Sequence, residues 1–64
     1  MNIALAWLRE RSNEARGREA AVRDARGRLV DKTTPYARAM ALLADADAQA
    51  AAVYDAMLDK FEGS

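Results

Sequence analysis

Asp31-Lys32-Thr33-Thr34-Pro35-Tyr36 is the stretch that decides the fold. Proline is favoured at the first position of a helix, where its missing amide proton is not needed. Threonine is a good cap immediately before it. Thr33-Thr34-Pro35 is therefore the strong break in the chain, with Thr34 capping a helix that runs from Pro35 to about Glu62. The turn occupies residues 32–34, and a first helix precedes it.

Working outward from this turn, two apolar stripes with spacings of 3 and 4 appear. Before it the stripe is Met1, Ala4, Leu8, Arg11, Ala15, Arg18, Val22, Ala25 and Leu29. After it the stripe is Tyr36, Met40, Leu43, Asp47, Ala50, Tyr54, Met57 and Phe61. Folding the chain at Lys32–Thr33 pairs positions that sum to 65. Leu29 then meets Tyr36, Val22 meets Leu43, Leu8 meets Met57 and Ala4 meets Phe61. The two polar interruptions also pair, Arg18 with Asp47 and Arg11 with Tyr54. The expected fold is all-α, an antiparallel two-helix hairpin in one domain spanning residues 1–64. Two such hairpins would make a four-helix bundle, or one would dock on a partner.

The first helix is expected over about residues 2–31, with Asn2 as its N-cap. Glu14–Arg18, Glu19–Arg23 and Asp24–Arg28 are acid-before-base pairs four residues apart, each worth roughly 0.2–0.5 kcal/mol in an isolated helix. Gly17 and Gly27 each cost about 1 kcal/mol relative to Ala. Gly27 as a C-cap is the alternative end. Leu29 and Val30 continue the apolar stripe and favour the longer helix.

With 64 residues and no cysteine or histidine, disulfides and ordinary zinc sites are excluded. A chain this short is marginal alone, which leaves oligomerisation or docking as the means of support. The 52% hydrophobic content includes sixteen alanines, so the chain is strongly helical but only moderately apolar. Net charge is zero, yet residues 1–32 carry eight basic and five acidic side chains and residues 33–64 carry two and five. Halves of +3 and −3 attract when folded together. Arginine outnumbers lysine eight to two, which suits bidentate pairing but fits a GC-rich genome better. The apolar run Met1–Leu8 is closed by Arg9 and Glu10, too soon for a signal peptide or membrane span. It is read as the start of a core helix in a cytoplasmic protein.

Helix 2 carries a second stripe, Ala39, Leu42, Ala46, Val53 and Ala56, and helix 1 has Ile3, Leu5 and Trp7 left over. One hairpin cannot cover both sides of helix 2. Ile3, Leu5, Trp7, Leu42, Ala46 and Val53 are therefore the expected interface, either with a second copy or with a larger protein.

Arg18, Asp47, Arg11 and Tyr54 form an expected polar core layer. Arg18 with Asp47 is read as a register-fixing charge pair, and a ligand site within the bundle is the alternative. A solvated edge position for Asp47 is a third. If the pair is fully buried, removing one partner costs on the order of 3–5 kcal/mol. Arg11 against Tyr54 is read as a cation–π contact or as two snorkelling side chains. Asp55, Asp59 and Glu62 share a face of helix 2. Without histidine they are read as a solvated acidic face rather than a metal site. Arg9, Arg16 and Arg23 repeat every seven residues and form a possible phosphate ridge, which Glu19 interrupts.

Catalysis has little to draw on. There is no histidine, no cysteine, no glycine-rich phosphate loop and no hydroxyl with a base nearby. No enzyme activity, cofactor, metal or small-molecule substrate is expected. The expected function is a protein–protein interaction module, meaning an adaptor, a regulator of a partner protein or a structural subunit. A small nucleic-acid-binding regulator using the arginine face of helix 1 is the alternative. In architecture the expected hairpin resembles the small plasmid-regulating helical bundles. No motif accompanies that likeness, so it implies a fold and no function.

Overall fold

A computed structural model describes residues 3–62 of the chain. The expectations for Met1 and for Asn2 as a cap lie outside these residues. Two helices fill the described part, α1 (Ile3–Gly27) and α2 (Pro35–Glu62), and they pack along their lengths as a hairpin. The molecule measures 47 × 15 × 12 Å, so it is a single layer of two helices.

Local chemistry sets the turn. The Ala37 amide donates to the Thr34 side-chain oxygen at 3.1 Å, and the Arg38 amide donates to the Thr34 carbonyl at 3.0 Å. This is the capping arrangement that Thr34-Pro35 implies. Ahead of it, Asp31 accepts bonds from the Thr33 hydroxyl at 2.6 Å and the Thr33 amide at 2.8 Å. These two bonds, the hydroxyl first, hold the Asp31 carboxyl below its ordinary pKa. Their stabilising effect is present above that ordinary value and is lost as pH falls through the lowered one.

α1 ends at Gly27 and not near Asp31. The end is tightened by bonds from the Arg28 amide to the Ala25 carbonyl (3.2 Å) and from the Leu29 amide to the Arg26 carbonyl (3.1 Å). These are three-residue bonds of the 3₁₀ type. Gly27 does not adopt positive φ, so it is not a left-handed C-cap. The chain leaves the helix here to bring Pro35 alongside α1. Val30 becomes fully exposed instead of extending the stripe.

The seam differs from the expected one by a rotation of each helix. Along α1 the covered positions are Leu5, Leu8, Ser12, Ala15, Glu19, Val22 and Arg26, again at spacings of 3 and 4, with Arg11 half-buried beside them. Along α2 the fully covered positions are Ala37, Ala44, Ala51 and Leu58, seven residues apart. Leu8, Ala15 and Val22 are shared with the expected α1 stripe, and Met40, Asp47, Ala50 and Tyr54 of the expected α2 stripe are half-buried at the edge of the seam. Ala4, Arg18 and Ala25 are exposed, as are Tyr36, Leu43, Met57 and Phe61 on α2. The physical reason is the line of alanines on α2. Small side chains allow the two backbones to approach closely. That approach also brings the α2 carboxylates within reach of the α1 arginines. The larger apolar groups stay on the outside.

Candidate interaction face

Arginines spaced by seven on α1 meet carboxylates on α2. Arg9 pairs with Glu62, and Arg16 with Asp55, the two acids themselves lying seven residues apart. Arg23 Nη2 reaches Asp45 at 3.1 Å while its Nε bonds Glu19 at 2.7 Å. Bonds to these two carboxylates, Glu19 first, raise the Arg23 pKa further above its already high value. Asp55 has a second role, because its Oδ1 accepts a 2.6 Å bond from the Ser12 hydroxyl, which is buried in the seam. Near the turn, Arg26 Nε donates to the Ala37 carbonyl at 3.0 Å. The expected phosphate ridge of Arg9, Arg16 and Arg23 is thus one side of an interhelical ladder. Asp55 and Glu62 belong to the same ladder while their side chains stay 40% and 41% exposed, and Asp59 is exposed beside them. Among the described residues, no group of three or more His, Cys, Asp or Glu is placed to hold a metal ion.

Arg18 and Asp47 do meet, at 3.2 Å, but at the rim. The Asp47 side chain is 13% exposed and that of Arg18 is 58% exposed. The rotation of the helices has moved the pair out of the core, so it is not a buried charge layer. Exposed pairs contribute about 0–1 kcal/mol. Asp47→Ala is therefore expected to lower the urea-unfolding free energy by about 1 kcal/mol or less, far below the figure for a buried pair. A loss of 3 kcal/mol, recovered in the double variant Arg18→Leu with Asp47→Leu, would place the pair back inside the seam.

Arg11 does not stack on Tyr54. Its guanidinium lies 5.7 Å from the ring centroid of Trp7, one turn earlier. Trp7 in turn packs edge-on against Tyr54, with centroids 6.2 Å apart and planes at 89°. Arg11 also bonds Glu14 at 2.9 Å, replacing the expected Glu14–Arg18 pair. Its Nε is buried without a hydrogen-bond partner among the described residues, as fits a guanidinium held against a ring face. The other two expected intrahelical pairs form, Glu19–Arg23 at 2.7 Å and Asp24–Arg28 at 2.9 Å.

What the ladder leaves outside is apolar. Tyr36, Leu42, Leu43, Val53, Met57 and Phe61 of α2 are between 41% and 70% exposed. With the exposed Ala39 and Ala46 and the half-buried Ala50 they form an arc on the outer side of α2 that carries no charged residue before Lys60. Four of the five α2 carboxylates are turned towards α1 by their arginines. A helix apolar on both faces is normally covered on both. Of the expected interface residues, Leu42, Ala46 and Val53 sit on this arc, and Ile3 and Trp7 are exposed near one end of α1. Leu5 is half-buried on the seam side and is not part of an outer face. The expectation that no hydroxyl has a base nearby fails at Ser12, whose hydroxyl meets the Asp55 carboxylate. Its signal was the 3-and-4 spacing it shares with Leu5, Leu8, Ala15 and Val22.

No protein-family model matches the chain, and no curated protein or solved structure matches it significantly. No helix among the described residues is long and apolar enough to cross a membrane.

Proposed function

We propose that this chain is a small, non-enzymatic helical module that works by binding protein, as an adaptor, a regulator of a partner or a structural subunit. The apolar outer arc of α2 carries this reading. Six large apolar side chains lie along one face of a hairpin whose core, among the described residues, holds two leucines and four alanines as its buried apolar groups. Contiguous apolar surface of this kind marks interaction sites. The cytoplasmic setting expected from the sequence is part of the same proposal.

Nucleic-acid binding through Arg9, Arg16 and Arg23 is the weaker reading. Each of these guanidinium groups already has a carboxylate partner on α2, and a phosphate would have to displace it. The neutral net charge adds no long-range steering towards a polyanion.

Affinity capture from the native host tests the proposal, with the chain as bait beside a Leu42→Asp, Val53→Asp variant. The expected result is a defined protein partner, a second copy included, that the variant loses while keeping its helical circular dichroism. Micromolar binding to duplex DNA or structured RNA at physiological salt would favour the other reading, provided Arg16→Ala and Arg23→Ala weaken it in folded protein.

A further inference from the structure

We propose that the outer arc of α2 is the contact between two copies of this chain, laid antiparallel so that Ala46 of one meets Ala50 of the other. This rests on the interaction-module reading and names its partner.

The size pattern of the arc is self-complementary. Its central line runs through positions 36, 39, 43, 46, 50, 53, 57 and 60, at spacings of 3 and 4, the seam of one helix packed on another. Reversing that line about its midpoint, near Ala48, pairs every position with another. Ala46 meets Ala50, so the two backbones come closest at the two-fold axis. Leu43 meets Val53, and the large Met57 meets the small Ala39. Facing large groups with small ones is how helical layers interdigitate without voids. A two-fold axis requires this kind of match, since each contact occurs twice.

Charge selects the antiparallel direction. Lys60 is the one ionised group on the line. Antiparallel packing separates the two copies of it by about 36 Å along the axis, at 1.5 Å per residue. Parallel packing would set them side by side. Gln49, at the edge of the arc, falls beside the axis next to its own copy, where two amides satisfy each other. The acids of α2 that could repel across the axis are held towards α1 by arginines.

The area is also sufficient. Taking roughly 200 Å² for a large side chain, six such groups at about half exposure present about 600 Å² per copy. A two-copy contact would remove about 1,200 Å² from water, at the lower end of stable interfaces.

The chain has no cysteine, so single cysteines test the register directly. Light scattering on the intact chain is expected to give the mass of two copies. Under mild oxidation, a mixture of Ala46→Cys and Ala50→Cys should form covalent dimer several-fold faster than either variant alone. Asn13→Cys, on the exposed side of α1, should form none. Equal or faster crosslinking of Ala46→Cys with itself means a parallel or shifted contact and overturns the proposal. So does a folded monomer across a wide concentration range. Neither outcome touches the interaction-module reading, which is overturned separately, by a Leu42→Asp, Val53→Asp bait that captures the same proteins as the unaltered chain or by the nucleic-acid binding described above.

Discussion

Leu8→Ala is expected to lower the melting temperature by roughly 10–20 °C. Leu8 and Leu58 are the only large apolar side chains among the described residues that the hairpin buries, at 3% and 8% exposure. Leucine-to-alanine changes in a core remove transfer free energy and leave a cavity, together about 2–5 kcal/mol. The lower half of that range applies here, because a two-helix layer closes partly around the gap. For a domain of this size each kcal/mol moves the midpoint by about 4–8 °C. Ile3→Ala, at a position 81% exposed, is the control and should move it little. The comparison belongs at equal protein concentration, since self-association adds to apparent stability. Thermal melts followed by circular dichroism decide it. Equal melting of the two variants would mean that Leu8 is not in the seam.

Asp55→Ala comes next in size. The carboxylate takes the hydroxyl hydrogen of Ser12, which is 4% exposed, and also pairs with Arg16. Its removal leaves a buried hydroxyl without a partner, a loss of about 1–3 kcal/mol. The exposed Arg16 pair adds less than about 1 kcal/mol. Removing both sides of the buried bond should recover most of the difference. Ser12→Ala with Asp55→Ala is expected to be more stable than Asp55→Ala alone, because an alanine at position 12 needs no partner. Urea unfolding of the two single variants and the double variant gives the coupling directly. Additive effects would show that the hydroxyl and the carboxylate do not meet.

The turn was legible because its chemistry is local. A threonine followed by proline specifies a cap whatever lies elsewhere, and the Ala37 amide bonds Thr34 as that pair implies. The hairpin itself was legible from the two stripes, whose pairing at positions summing to 65 sets Arg18 opposite Asp47, and from halves of opposite charge. The rotation of the helices was not. α2 is apolar over more than half its circumference, so periodicity alone allows either its alanine line or its leucine and methionine line to face α1. The choice depends on how closely two backbones can approach, a property of both helices at once. Ser12 was missed for the same reason, because a hydroxyl becomes a seam residue only when a carboxylate stands opposite. One signal did lie in the spacing. Arg9 and Arg16 are seven apart, as are Asp55 and Glu62, and an antiparallel fold brings the two pairs level.

The Arg26–Ala37 bond has a consequence for how the hairpin assembles. It joins residues only eleven apart, whereas the Arg9–Glu62 pair at the other end joins residues fifty-three apart. Between these limits the separation of partners grows steadily with distance from the turn. Each rung therefore closes only a small additional loop once the rung before it is made. Contacts near the turn are therefore expected to form by the folding transition state, and those near the open end after it. Substitutions close to Arg26 are then expected to slow folding, and substitutions close to Arg9 chiefly to speed unfolding, as stopped-flow chevrons would read. Closure is expected to run as in a zipper whose slider starts at Thr34.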